Sequence, residues 1–207
     1  SNTRNFTLLG DPALKLAYPA YDVVTTSINN NPVSITPDSI HALSKVTIKG
    51  QVQDINGNKI STYNGVLYPT IYDKAAVIPT LSNDPDKSPR TNFKLQQNVL
   101  YKGKGSVKDG EFAFTFIVPK DIAYQYGFGK ISYYAENGTT DANGKYKNIT
   151  IGGSAVGSVS DIKGPEIKMY LNDEKFVFGG LTNENPKLLV IVTDSSGINT
   201  VGNGIGH

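Results

Sequence analysis

Residues 110–119 read GEFAFTFIVP, and this stretch decides the fold. Phe112, Phe114, Phe116 and Val118 alternate with Ala113, Thr115 and Ile117. A period of two puts the three aromatic rings and Val118 on one face of a β-strand. Pro119 closes the strand, and Lys108-Asp109-Gly110 is a hairpin turn leading into it, with VLYKGKGSV (99–107) as the partner strand. Downstream, KISYYAEN (130–137) places Ile131, Tyr133 and Ala135 on one face, so the consecutive Tyr133 and Tyr134 must point opposite ways. Upstream, KVTIKGQVQD (45–54) alternates Val46, Ile48, Gly50 and Val52, and Asn56-Gly57 comes next as a turn. GVLYPTIYDK (65–74) is a further strand in which Pro69 demands an edge or a bulge.

Turn signals recur about every ten residues, and no stretch holds a 3.6-residue period over three turns. The expected fold is therefore all-β, an immunoglobulin-like antiparallel β-sandwich over residues 20–153. YKNITIGG (146–153), after an Asn143-Gly144 turn, is its expected last strand, and 79–92 is a polar loop with three prolines. GGSAVGSVSDIKG (152–164) is small and polar, and its portion 154–164 reads as a linker. EIKMYLND (166–173), KFVFGG (175–180) and KLLVIVTD (187–194) then read as opening strands of a second β-sandwich unit. Residues 165–207 are too few to bury a core of their own, so this unit is expected to lean on the first, swap with another chain or be a partial domain. At the other end, LLGDPALKLAYP (8–19) is a turn between two apolar segments with almost no chain before it.

Composition narrows the chemistry. The 207 residues include 21 Gly, 11 Pro and 12 Tyr, with a formal charge of +2 and no Lys/Arg run, so there is no electrostatic footprint for nucleic acid. No apolar run is long enough to span a bilayer, and no signal peptide is present in residues 1–207. With no cysteine, the chain has no disulfide, thiolate metal site or cysteine nucleophile. His41 and His207 are the only histidines, which leaves Asp194-Ser195-Ser196 without a base for serine-hydrolase chemistry. Asp54-Ile55-Asn56-Gly57 and Asp141-Ala142-Asn143-Gly144 have a calcium-loop flavour, but the Gly comes too early and the closing Glu is missing; both read as ordinary turns. Asp84 and Asp86 fall in the proline-rich loop and read as solvated. No catalytic residue, metal ligand or cofactor-binding residue is assigned, and the chain is expected to have no enzymatic activity of its own.

The best binding candidates are Tyr124, Tyr126 and Phe128, which alternate with Gln125 and Gly127 in one short turn. Exposed, such rings stack on sugars or peptides; buried, they plug the end of a β-unit, and the second reading is favoured. A surface carbohydrate- or protein-binding, adhesin-like module is the alternative function that these three residues support.

LGDPALKL (9–16), ALSKVTIKGQV (42–52), NGVLYPTIYDK (64–74), GKGSVKDGEFAFTFIVP (103–119), GKISYYA (129–135), GPEIKMYLND (164–173) and GINTVGNGIGH (197–207) form an ordered set. In this set the chain resembles the PorU-type branch of the gingipain family, the cell-surface sortases of the Bacteroidetes type IX secretion system. The resemblance implies that residues 1–19 are the tail of a cysteine-peptidase domain, and that the chain beyond residue 19 is post-catalytic β structure. It places the family's catalytic Cys and His upstream, and neither role maps onto this chain. The whole protein would remove C-terminal signals from secreted cargo at the cell surface, on the outside of the outer membrane, and attach the cargo to lipopolysaccharide. Implied partners are the upstream peptidase domain, downstream β domains and other secretion components at the outer membrane. Asp38-Ser39-Ile40 also resembles the acidic-Ser-aliphatic O-glycosylation pattern of these bacteria, which makes Ser39 a candidate modification site.

Overall fold

The computed structural model describes residues 13, 17–34, 36–83, 89–120, 122–154, 164–194 and 198. Its strands in chain order are β1 (Tyr21–Ile28), β2 (Asn31–Pro32), β3 (Asp38–Ala42), β4 (Lys45–Gln53), β5 (Gly65–Tyr72), β6 (Ala76–Pro79), β7 (Asn92–Leu95) and β8 (Val99–Lys102). The rest are β9 (Gly105–Lys108), β10 (Glu111–Ile117), β11 (Gly127–Phe128), β12 (Lys130–Glu136), β13 (Asp141–Tyr146), β14 (Ile149–Ser154), β15 (Glu166–Leu171) and β16 (Leu188–Thr193). The all-β expectation holds: no helix occurs among the described residues. None, therefore, is long and apolar enough to cross a membrane.

The main sheet runs β12-β13-β1-β4-β10-β9-β5 and closes on itself, because β12 also pairs with β5 from Lys130↔Tyr72 to Glu136↔Val66. Seven strands thus make a barrel-like sheet with almost no free edge, an arrangement that blocks edge-to-edge association. This strand order does not by itself establish the narrower immunoglobulin-like sandwich. Alternation explains the closure: the apolar parity of each strand points inward. Val46, Ile48 and Val52 of β4, Phe112, Phe114 and Phe116 of β10, and Ile131, Tyr133 and Ala135 of β12 are all buried. Tyr134 points outward at 40% exposure. Gly50 sits opposite Phe112 in the β4–β10 ladder, and the Phe112 ring fills the space a Cβ would need. Tyr101 stacks on Phe114 and Phe116 with centroids 5.7 and 4.8 Å away, and Phe112 meets Tyr133 at 5.5 Å.

The hairpin at 108–110 forms as expected, with φ of 51° at Asp109 and 76° at Gly110. Its partner strand is shorter than the sequence suggests. β9 pairs with β10 only at Glu111↔Lys108 and Phe112↔Val107, then turns to β5, while β4 covers the length of β10. Pro69 lies inside β5, where that strand changes partner from β9 to β8. Its carbonyl accepts from Gly103 N in the gap between those partners, so the missing N–H falls where the ladder is already broken.

Two expectations are corrected. Asn143-Gly144 is not a turn; both residues lie in β13, which pairs with β12 and runs parallel to β1. Gly144 is there for close approach, since any Cβ would strike the Val23 carbonyl. Residues 175–180 are not a strand but turns, with Gly179 at φ 81° and Phe178 fully exposed. The strands expected on either side do form, as the antiparallel pair β15–β16. The proline-rich 79–92 loop joins β6 to β7, a hairpin the sequence reading missed. Leu8, Leu9, the Gly10-Asp11-Pro12 turn, Asp84, Asp86 and residues 199–207 lie outside the described residues.

Candidate functional site

A three-stranded sheet, β11-β14-β3, carries the aromatic turn. Ile40 and Ala42 of β3 and Ile149 and Ile151 of β14 are buried against the core. The opposite parity must face outward. The register sets Phe128 beside Thr150, and Thr150 beside Ser39, across that outer face. His41 lies two residues after Ser39 on the same face, and its ring meets Tyr126 edge-on at 6.0 Å. Tyr124, Tyr126 and Phe128 are 56%, 63% and 61% exposed. The expectation that they plug the end of the β-unit is therefore overturned. A loop aromatic does fill the core, but it is Tyr63, 1% exposed, with its hydroxyl donating to the Thr140 carbonyl.

The turn is held out by a network beneath it. Asp73 and Lys74 come directly after β5, and their side chains are only 3% and 15% exposed. Lys74 Nζ donates to Asp73 Oδ1 at 2.7 Å, to the Ala123 carbonyl at 2.9 Å and to the Ile151 carbonyl at 3.3 Å. One ammonium thus joins β5, the turn and β14, and Gly127 sits directly on its methylene stem. Gln96 Nε2 donates to the Asp73 carbonyl at 2.8 Å and to the Phe128 carbonyl at 3.4 Å. Gly153 N donates to the Tyr124 carbonyl, and a Cβ at Gly153 would collide with the Tyr126 hydroxyl. The aromatic side chains are exposed while their backbone is fixed.

His41 Nδ1 lies 2.8 Å from the Gly152 carbonyl. A carbonyl only accepts, so Nδ1 carries the proton and donates. In the neutral ring Nε2 is then an acceptor. His41 lies inside β3, which is an edge of its sheet.

Ser39 is exposed on β3, so its hydroxyl is accessible on the outer face. Asp54 accepts from Asn58 N at 2.9 Å and Asn58 Nδ2 at 3.1 Å, with a lesser part from Asn56 N, and these bonds hold its carboxyl below the usual range. It caps its own turn. Asp38 Oδ2 is buried without a hydrogen-bond partner, and burial pushes that carboxyl up. Among the described residues no three His, Asp or Glu side chains gather in metal-binding range.

No protein-family model and no curated protein matches the chain. Among solved structures, the crystal structure of dimeric latent PorU from Porphyromonas gingivalis superposes with a TM-score of 0.68 at 31% identity, covering 96% of this chain. This is a PorU-like region. It spans 19% of the PorU chain it matches. The sporulation control protein Spo0M of Bacillus subtilis aligns at a TM-score of 0.34 and 18% identity over 65% of this chain and 50% of its own, too loosely to carry any argument. In the PorU-like region Phe128 lies in β11 and Tyr126 meets His41 of β3, so this outer face belongs to the three-stranded sheet and not to the barrel ladder.

Proposed function

We propose that this PorU-like region is a non-catalytic structural part of a PorU-type cell-surface cysteine peptidase and sortase, one that processes the C-terminal signals of type IX secreted cargo. The observation that carries the reading is the 31% identity to PorU over 96% of the chain, combined with the complete lack of cysteine. A cysteine peptidase cannot draw its nucleophile from these residues. The chain's part is then mechanical: a closed barrel that braces the peptidase domain and spaces it from downstream β structure.

The β15–β16 hairpin fits that role. Its register collects Ile167, Met169 and Leu171 with Leu188, Val190 and Val192 on one wholly apolar face. Ile167, Met169 and Leu188 are 58%, 68% and 66% exposed. A lone two-stranded hairpin is marginal in water, so in this reading further β structure of the same polypeptide covers that face. The test is enzymatic. The purified chain, incubated with a peptide carrying a type IX C-terminal signal and an amine acceptor, is expected to give neither cleavage nor transfer. Measurable turnover by the cysteine-free chain would overturn the reading.

A further inference from the structure

Water-exposed aromatic rings clustered on a fixed backbone mark a binding surface more often than chance. Tyr126 and Phe128 sit two residues apart, about 7 Å along extended chain, and Tyr124 stands at the start of the same turn. None of the three packs into the core: each is more than half exposed. A buried ion pair and the Gln96 amide hold the turn's carbonyls, so binding loses little conformational freedom. Beside the rings lie three hydrogen-bonding groups: Ser39 Oγ, Thr150 Oγ1 and His41 Nε2, the ring nitrogen not committed to the Gly152 carbonyl.

We propose that the outer face of β11-β14-β3, with the 124–128 turn, is a carbohydrate-binding site that takes neutral pyranose rings of an oligosaccharide. A pyranose presents a C–H face and a rim of hydroxyls. The C–H faces lie on Tyr124, Tyr126 and Phe128, and the rim meets Ser39, His41 and Thr150. The arrangement suits a sugar because individual rings have an uncharged or imidazole hydrogen-bonding group beside them, Thr150 beside Phe128 and His41 beside Tyr126, so one pyranose can stack and hydrogen-bond at once. An anionic polymer is a poorer fit, because no lysine or arginine is among the six residues. The site stands or falls separately from the structural role proposed above, since it uses no residue of the apolar hairpin and no enzymatic step.

The chain lacks tryptophan, so its emission comes from 12 tyrosines, of which Tyr124 and Tyr126 lie in the site. The full chain is titrated with linear hexaoses of glucose, mannose, galactose and N-acetylglucosamine, with tyrosine fluorescence and calorimetry as readouts. At least one hexaose is expected to bind saturably. Tyr126→Ala is expected to weaken that binding about tenfold or more, which corresponds to about 1.4 kcal/mol. Tyr126→Phe keeps the ring and is expected to retain it, which covers the case in which the alanine variant does not fold. Tyr134→Ala, on the outer face of the barrel, is the control and is expected to bind as the parent does. Absence of saturable binding to all four hexaoses, equal binding by a folded Tyr126→Ala chain, or equal loss in Tyr134→Ala would each overturn the proposal.

Discussion

Replacing Lys74 by Met removes the ammonium that joins Asp73, the Ala123 carbonyl and the Ile151 carbonyl, while leaving most of the stem's apolar volume. Among the described residues Asp73 would keep one backbone donor, Lys74 N at 2.8 Å, in a site where its side chain is 3% exposed. Removing one member of a buried ion pair costs about 3–5 kcal/mol, because the other charge stays buried and uncompensated. The Lys74 side chain is 15% exposed, so water relieves part of the penalty, and the low end, about 3 kcal/mol, is the expectation here. That is a large share of a typical total of about 5–15 kcal/mol and corresponds to a Tm drop of roughly 10 °C. Urea unfolding measured by far-ultraviolet circular dichroism reads the change. The double variant Asp73→Asn/Lys74→Met is expected to recover part of the loss, since the stranded charge is gone. Lys59→Met is the comparison: its partner Glu111 is 64% exposed, and its loss is expected to stay below about 1 kcal/mol. A Lys74→Met loss as small as that of Lys59→Met would refute the claim that the buried pair holds the turn.

Gly50→Ala is expected to cost about 2 kcal/mol or more, because its Cβ would overlap the Phe112 ring and the Val24 carbonyl; a urea midpoint within error of the parent would contradict the packing. Alkaline unfolding is expected to set in late. Burial pushes the Tyr63 hydroxyl up to about 12 and the Tyr133 hydroxyl up as well, while unfolded tyrosines ionise near 10. Stability should therefore be level below about pH 10 and fall as the pH rises toward 12, with a shallower fall in Tyr133→Phe. Asp38 has a consequence of the same sign at lower pH. Its folded carboxyl resists ionisation, so its favourable contribution exists only below the ordinary carboxylate range and is lost as pH rises. Asp38→Asn is expected to melt higher than the parent at pH 7 and equally at pH 3, and equal melting at both would contradict the assignment.

The strands that form the barrel were legible because their alternation is clean. In 45–53, 111–117 and 130–136 one parity is apolar and the other polar, and the barrel needs one buried face. The closure was not legible: β12 joins β5 across more than half the barrel's sequence, and alternation says which face is buried but not which strand lies beside it. Gly144 misled for a physical reason, because glycine serves both tight turns and close backbone approach, and only the position of Val23 decides. Residues 175–180 misled because two aromatics and a valine carry strand propensity, yet no neighbouring strand pairs with them among the described residues. The candidate site was half legible. The alternating rings at 124, 126 and 128 stood out, but whether they point in or out depends on an ammonium 49 residues away along the chain. The outer-face grouping with Ser39 and His41 depends on a parallel β14–β3 pairing that no local signal announces.

The central claim is that these residues work as the non-catalytic β region of a PorU-type protein. The most direct measurement is the mass of the native protein, by immunoblot of the cells that make it, with an antibody raised against this chain. The expected band lies far above 22.3 kDa, on a polypeptide that also carries the cysteine and histidine of a peptidase domain. A band at 22.3 kDa and nothing heavier would contradict the account.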